Sequence, residues 1–277
     1  MNQWNPSKIY RGLVTNDFHV NVTETQVKSF AKAVEWPLDH GLPPTLPITF
    51  WQHSYPEWLK NCPLPQLLKE QNFIYEKPLR IGISYRCRIE CAEAYYVQTP
   101  KNKVYLALLH RLIGEEGDER VFIADTLLYL PVSEPIATEV IREPVYELAS
   151  QGMKLQSSLI KRITTEAIRE YAYASGDTQA IHLEEAAAQA AGFPAVLAHG
   201  MYGMGLSISS ETVLTDKRLV SYHMRFLAPI FAGDQVQFSI YSGEDKASNG
   251  QSEQSFKLVG CSSRTGKPVY VGKIKVT

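Results

Sequence analysis

Apolar residues follow two different spacings along this chain. Residues 22–33 ("VTETQVKSFAKA") and 163–174 ("ITTEAIREYAYA") have the spacing of amphipathic helices. Residues 78–89 ("PLRIGISYRCRI") and 229–240 ("PIFAGDQVQFSI") alternate with period two, as in a strand entered through a proline and a glycine. The second half continues with an apolar helix, "GMYGMGLSISSETV", and with strands around "LVSYHMRFLA", "DQVQFSIYSG", "QSFKLVGCSS" and "PVYVGKIKVT". One apolar helix and several consecutive strands predict an α+β domain whose antiparallel sheet curls around the helix.

The chain contains an internal duplication. The two helical segments match at an offset of 141 residues, with Thr23 on Thr164 and Phe30 on Tyr171, and the two strand segments match at an offset of 151. We predict two domains, residues 1–145 and 146–277, with the linker-like segment 133–152 ("SEPIATEVIREPVYELASQG") between them. The second copy has therefore gained a net ten residues between its helix and its strand.

The gained interval carries an acid and an imidazole in "SGDTQAIHLEE", residues 175–185. Five residues separate Asp177 from His182, an odd step on a strand and about 140° around a helix, so only a turn brings them together. Gly176 is a natural helix terminator, and "LEEAAAQAAG" after the turn is strongly helix-forming. Spacing alone favours a capping or turn aspartate and an interior histidine, because Asp is common at caps and turns.

The first copy does not preserve this arrangement. Its helix runs into "VEWPLDHGLPPTLP", whose prolines forbid the second helix. Asp39 and His40 are adjacent there and are expected to diverge as ordinary loop residues. We therefore expect one active site per chain, in the second copy, with the first copy providing a wall and room for substrate.

Composition excludes several classes of function. The apolar fraction is 44% and the formal net charge −1, with no basic block to bind nucleic acid or an anionic membrane. There is no transmembrane-length apolar run and no signal peptide, so a cytoplasmic location is expected. Cys62, Cys87, Cys91 and Cys261 lack metal-site spacing and are predicted to be free thiols. Phosphate-loop, GxSxG and HExxH motifs are missing from the sequence.

Residues 173–206, "YASGDTQAIHLEEAAAQAAGFPAVLAHGMYGMGL", resemble the signature of MaoC-type hydratases and dehydratases, the hydratase 2 family. The family pattern is Gly-Asp-x-Asn-Pro-(aliphatic)-His followed by His-Gly-Met. "FLAPIFAGDQV" resembles the family's strand entry. The resemblance implies a double hotdog, in which residues 1–145 form a degenerate copy and residues 146–277 the catalytic copy.

The resemblance also implies an activity and roles for six residues. The family interconverts trans-2-enoyl and (R)-3-hydroxyacyl thioesters by adding or removing water. Asp177 and His182 would be the acid/base pair that holds the water, and the Gly200 N–H would polarise the thioester carbonyl. The remaining positions assigned to the substrate site are Gln179, His199 and Met201, with His199 expected mainly to place backbone. Two positions depart from the pattern, because Gln179 stands where the family has asparagine and Ala180 where it has proline.

No metal or cofactor is expected beyond the coenzyme A or acyl carrier protein that carries the acyl group. Lys217, Arg218 and Arg225 are candidates to bind coenzyme A phosphates or an acidic carrier protein, or are ordinary surface charges. Two other functions remain open: a hotdog that binds acyl thioesters without turnover, and a thioesterase. The acyl chain length, the carrier, the physiological direction and the formation of a homodimer also stay open.

Overall fold

The structure is a computed structural model that describes residues 4–62, 65–132, 140–142, 153–209, 214, 217–242, 246–248 and 251–277. Its α-helices are α1 Glu24–Ala33, α2 Thr165–Ser175, α3 Ala180–Leu183, α4 Glu185–Ala190 and α5 Gly200–Leu206. Short 3₁₀ helices span Pro6–Lys8, Leu38–His40, Leu46–His53 and Glu57–Leu59. The strands are β1 Phe18–Asn21, β2 Leu67–Tyr75, β3 Ser84–Gln98, β4 Val104–Glu116, β5 Glu119–Pro131, β6 Val140–Arg142, β7 Leu155–Arg162, β8 Leu219–Phe226, β9 Gln235–Ser242, β10 Lys246–Ser248, β11 Gln251–Ser262 and β12 Pro268–Val276.

One sheet runs through both halves in the order β1-β3-β4-β5-β2-β8-β12-β11-β9-β7. The second half repeats the order of the first in reverse, so the two copies meet where β2 and β8 pair antiparallel, from Glu70 opposite Arg225 to Ile74 opposite Ser221. This topology is what a duplicated hotdog requires. The predicted α+β double hotdog is confirmed.

The duplicated helices meet beside the seam between the two copies. Thr23 and Thr164 cap α1 and α2 in the same way, each hydroxyl accepting the backbone N–H three residues further on. The rings of Phe30 and Tyr171, which are equivalent in the duplication, pack 5.8 Å apart. Lys32 of α1 forms an ion pair with Glu170 of α2. The two copies thus pack their equivalent helices against each other, with Phe30 and Tyr171 at equivalent positions.

The predicted strands are confirmed at β3, β8, β9, β11 and β12. The period-two segments enter β3 and β9 through turns that contain Gly82 (φ 80°) and Gly233 (φ 93°), 151 residues apart. Positive φ favours glycine, which explains why both copies keep a glycine at this turn. Residues of β9 alternate between buried and exposed or partly exposed as the sequence pattern indicated.

The central helix of the second copy is shorter than the sequence predicted. Helix α5 ends at Leu206, because Ser207 and Ser209 turn their hydroxyls back to the carbonyls of Met204 (2.7 Å) and Leu206 (2.9 Å). Residues 210–213 of the predicted helix lie outside the described residues. In the first copy the 3₁₀ helix Leu46–His53 buries Leu46 and Phe50 in the main core, which spans both halves.

The linker and the domain boundary at 145/146 lie largely outside the described residues. Only Val140–Arg142 is described within 133–152, and it pairs parallel with β3. The four cysteines are free thiols, as predicted. Among the described residues, no helix is both long and apolar enough to cross a membrane.

Candidate active site

The turn after α2 is fixed by Gly176. Its N–H caps the helix by donating to the Ala172 carbonyl (2.8 Å), and its φ of 75° lies in the left-handed region. A Cβ at this position would lie 2.0 Å from the amide carbon of Gln52, which comes from the first copy. The positive φ requires glycine, whereas the end of the flexible Gln52 side chain could move aside. The first copy therefore supports the turn that carries the candidate chemistry.

The turn brings Asp177 and His182 together, as the spacing predicted. His182 Nε2 and Asp177 Oδ2 lie 4.0 Å apart. The helix predicted after the turn is broken into α3 and α4, because Glu184 is extended (φ −126°, ψ 121°). His182 sits in the single turn of α3 and is 8% exposed, so its ring faces inward towards Asp177.

His182 is held in one tautomer by the Leu197 carbonyl. Its Nδ1 lies 2.9 Å from that oxygen, and since a carbonyl only accepts, Nδ1 carries the proton and Nε2 is left as an acceptor. Leu197 is itself fixed because Ala198 and Ala232 donate to the carbonyls of Ile230 and Val196. Burial lowers the pKa of His182, with the Asp177 charge and the Leu197 carbonyl opposing the shift. The imidazole is therefore neutral at neutral pH.

His199 positions the backbone of Asp177. Its Nε2 donates to the Asp177 carbonyl (2.8 Å), and its ring stacks on that of His182 with centroids 3.7 Å apart. The ring of Tyr171 also packs against His199, with centroids 5.0 Å apart. Burial, followed by the neighbouring His182, lowers the pKa of His199 to about 4. A neutral, 3% exposed ring that donates a hydrogen bond to a main-chain oxygen fits a positioning role.

The Asp177 carboxylate has one occupied oxygen and one that faces the histidines. Oδ1 accepts from the backbone N–H (3.4 Å) and side-chain amide (3.2 Å) of Gln179. Oδ2 lies 4.0 Å from His182 Nε2, which is also an acceptor. Two acceptors at this separation cannot bond to each other, but one water can donate a hydrogen bond to each. Because the Asp177 side chain is 42% exposed, solvent reaches this point.

Gly200 begins α5 directly after His199, which is the N-cap residue. The first N–H groups of a helix lack an intrahelical acceptor, so the Gly200 N–H is available to a ligand. A Cβ here would lie 3.0 Å from the Phe226 ring and 3.2 Å from Leu68, which come from the two strands at the seam. Glycine at position 200 has no Cβ to crowd these two side chains. Met201 is 5% exposed and belongs to the main core.

Among the described residues, Asp177, His182 and His199 are the group whose ligand atoms lie close enough to hold a metal ion, within 4.8 Å of one another. However, one ring nitrogen of each histidine is already committed to a carbonyl. His199 Nε2, 4.0 Å from Asp177 Oδ2, is one of these protonated nitrogens. The arrangement suits a water molecule better than a cation.

The acid–histidine sequence of the first copy and the three basic candidates have other surroundings. Asp39 and His40 are exposed in a 3₁₀ helix, as expected of loop residues. Lys217 donates to Gln254 (2.7 Å) and Arg218 to the Glu76 carbonyl (3.0 Å). Arg225 is buried and forms an ion pair with Glu70 (3.0 Å), which leaves it poorly placed to bind phosphate.

Sequence reasoning missed three residues that shape the site. Leu197 contributes a backbone oxygen, so its side chain gives no signal. Gln52 reaches the Gly176 turn from the first copy, and sequence spacing alone cannot reveal such a contact. Tyr171, against His199, was visible as the duplication partner of Phe30 but had no assigned role.

The fold and the site together define a double-hotdog protein whose Asp–His turn lies in the second copy. A Mycobacterium tuberculosis protein described as having a double hotdog fold is similar over 98% of this chain and 97% of its own, with 12% identity and a TM-score of 0.70. A structure described as a MaoC-like dehydratase covers 98% of both chains, with 16% identity and a TM-score of 0.77.

Residues 148–259, within the second half of the chain, match the family model described as the MaoC like domain. The expected family resemblance is confirmed. The chain is also similar to 3-hydroxyacyl-thioester dehydratase X of Mycobacterium tuberculosis, with 39% identity over 72 residues. That match spans 26% of this chain and only about a quarter (25%) of the relative's length.

Proposed function

We propose that the protein is a hydro-lyase that adds water to trans-2-enoyl thioesters, giving (R)-3-hydroxyacyl thioesters, and catalyses the reverse dehydration. The observation that carries this proposal is the pair of acceptors, Asp177 Oδ2 and His182 Nε2, 4.0 Å apart on a partly exposed turn. The MaoC-like domain and the similarity to a 3-hydroxyacyl-thioester dehydratase support the same reaction. Coenzyme A is the favoured carrier, with acyl carrier protein as the other candidate.

In the proposed mechanism, the Asp177–His182 pair holds the attacking water. As the water oxygen bonds to C3, the pair takes one of its protons and the C2–C3 π electrons move towards the carbonyl oxygen. The Gly200 N–H stabilises this enolate oxygen, as donors do in oxyanion holes. The pair then returns one proton to C2, so that the elements of water are added and the site ends in its original state.

The test of this function uses the absorbance of the conjugated enoyl thioester. Purified protein is mixed with crotonyl-CoA and with a longer trans-2-enoyl-CoA, and we expect the enoyl absorbance to fall while no free thiol is released. Release of thiol from the acyl-CoA would instead identify a thioesterase. Tight binding with unchanged absorbance on either carrier would contradict the proposal and favour a non-catalytic binder.

Gln179 is the feature that favours a non-catalytic binder as the second candidate. It replaces the asparagine of the family pattern, although its amide still reaches Asp177 Oδ1 at 3.2 Å. A displacement near 1 Å can cost about a hundredfold in rate. If the wild-type protein is inert, the Gln179→Asn variant tests whether this residue silences the site.

We expect the pH dependence of kcat/KM to follow His182. Only the neutral imidazole can accept the proton of water, and burial lowers the pKa of His182 below its ordinary value of 6.5. The rate should therefore be constant at and above neutral pH and fall in acid, with its midpoint below that value. An initial-rate profile of kcat/KM measures this, and a midpoint clearly above 6.5 would contradict the assignment.

We also expect one thioester site per chain. Asp39 and His40 of the first copy are exposed, and the residues corresponding to the Asp177 turn are missing from that copy. Calorimetric titration with a non-reactive acyl-CoA should give one equivalent per chain. Two equivalents of equal affinity would show that the first copy keeps a site of its own.

A further inference from the structure

A row of polar side chains crosses the inner face of the sheet in the first copy. Gln71 of β2 is opposite Thr126 of β5, and Thr126 is opposite His110 of β4. Gln71 and His110 are completely buried, and Thr126 is 5% exposed. Around the His110 end of this row lies an apolar cluster against which Trp51 and Trp58 pack. Polar groups in such surroundings need hydrogen-bond partners.

Two hydrogen bonds fix the state of this row. Thr126 donates to Gln71 Oε1 at 2.7 Å, and Trp58 Nε1 donates to His110 Nε2 at 2.8 Å. An indole N–H can only donate, so His110 Nε2 is unprotonated. Burial lowers the pKa of His110 to about 3, which keeps the ring neutral. The proton of His110 therefore lies on Nδ1.

Four buried N–H groups remain without an acceptor among the described residues. Three of them, His110 Nδ1, Gln71 Nε2 and Trp51 Nε1, belong to this row or contact it, and the fourth is Trp4 Nε1. Trp51 contacts the His110 ring edge-on, with centroids 5.7 Å apart, and Gln71 is tied to the row through Thr126. All three groups are donors. Any group that pairs with them must therefore be a hydrogen-bond acceptor.

The row begins beside the candidate active site. Leu68, whose side chain lies next to Gly200, is on the same strand as Gln71. Because the register of this strand shifts between Leu68 and Glu70, Gln71 is the next residue that faces inward. His110 lies two strands further from the seam, roughly 10 Å at about 4.8 Å per strand. A chain that starts at Gly200 and runs into the first copy would pass these donors in order.

We propose that the first copy recognises oxygen on the distal part of the acyl chain, and that His110, Gln71 and Trp51 supply the hydrogen-bond donors along its path. This inference rests on the proposed thioester function. All three donors are neutral, and burying a carboxylate without a cationic partner is costly, so the favoured acceptor is the carbonyl oxygen of an oxoacyl chain. These residues would then determine specificity, away from the reacting carbons.

The first test compares matched substrates. A trans-2-enoyl-CoA that carries an oxo group on its distal chain is measured against the alkyl compound of equal length. We expect at least a roughly tenfold preference in kcat/KM for the oxo compound, because an alkyl chain leaves the buried donors unpaired. The preference should fall towards one in Gln71→Met, which removes a donor with little change in size, and in Trp51→Phe, which removes a donor but leaves a smaller ring.

A matched control is Trp36→Phe, which removes a buried indole of the same copy whose N–H already donates to the Gly41 carbonyl. It should keep the preference, and thermal melting of every variant checks folding. Equal kcat/KM for the two substrates in the wild type would mean that water satisfies the donors, and would overturn the inference.

The second test separates this inference from the proposed reaction. Calorimetry compares saturated oxoacyl-CoA and acyl-CoA of equal length, which bind without hydration. Roughly tenfold or tighter binding of the oxo compound, lost in Gln71→Met, supports the inference even if no enoyl thioester is hydrated. Equal affinities, or no binding of either compound, overturn it even if the hydratase activity is found.

Discussion

Replacing Asp177 by asparagine, or His182 by alanine, is expected to lower kcat/KM for enoyl thioester hydration by roughly 10²–10⁴-fold, the usual contribution of a positioned acid or base. The asparagine would be nearly isosteric with the aspartate but would offer the water an amide in place of a carboxylate. The alanine would leave the site with one acceptor. The decay of enoyl absorbance under conditions of low substrate measures both variants.

The first copy offers matched controls. Asp39→Asn and His40→Ala make the same chemical changes in the exposed acid–histidine sequence of the degenerate copy, and the rate should be unchanged. Since Asp177 and His182 are proposed to act on one water, the double variant should be little slower than the worse single variant. Folded Asp177→Asn and His182→Ala proteins that both keep wild-type rates would rule out this pair as the acid and base.

Replacing Gly200 by proline should remove the proposed oxyanion donor and lower kcat by about 10²–10³-fold, as for single donors in oxyanion holes. Proline is tolerated at the first position of a helix but has no N–H. The preceding residue, His199, already has the extended backbone that proline requires, with φ −60° and ψ 136°. The helix should therefore form without the donor.

Gly200→Ala separates the loss of the N–H from crowding. Its Cβ meets the same Phe226 and Leu68 side chains at 3.0 and 3.2 Å, but the N–H remains. We expect Gly200→Ala to keep its kcat within about tenfold of wild type, whereas Gly200→Pro does not. Equal kcat values for the two variants would show that crowding, and not the hydrogen bond, limits the reaction. Single-turnover kinetics and thermal melting distinguish these cases.

Much of the fold was predictable, because duplication made each sequence signal appear twice. The matched helices, the Gly82 and Gly233 turns and the period-two strands all occur where the pattern placed them. Spacing showed that only a turn could bring Asp177 and His182 together, and the family resemblance was needed to favour them as a functional pair. The lengths of helices were less predictable, because side chains such as Ser207 compete locally for backbone carbonyls.

What the sequence could not supply were contacts between the copies. The approach of Gln52 to Gly176 and the packing of Leu68 near Gly200 depend on the pairing of β2 with β8. The backbone oxygen of Leu197 sets the tautomer of His182. Every residue type has this oxygen, so the identity of residue 197 does not reveal the contact. The buried donors of the polar row in the first copy can be recognised only once the register of strands β2, β5 and β4 is known.

The pairing of β2 with β8 also decides how the site responds to dilution. If the two copies were separate chains, Gln52 and Leu68 would reach the Asp177 turn only through an encounter that depends on concentration. Covalent connection replaces that encounter with a high effective local concentration. Each strand also covers an edge of the other that would otherwise be open to foreign strands. The parts of the site that come from both copies therefore stay assembled in a single molecule, however few molecules are present.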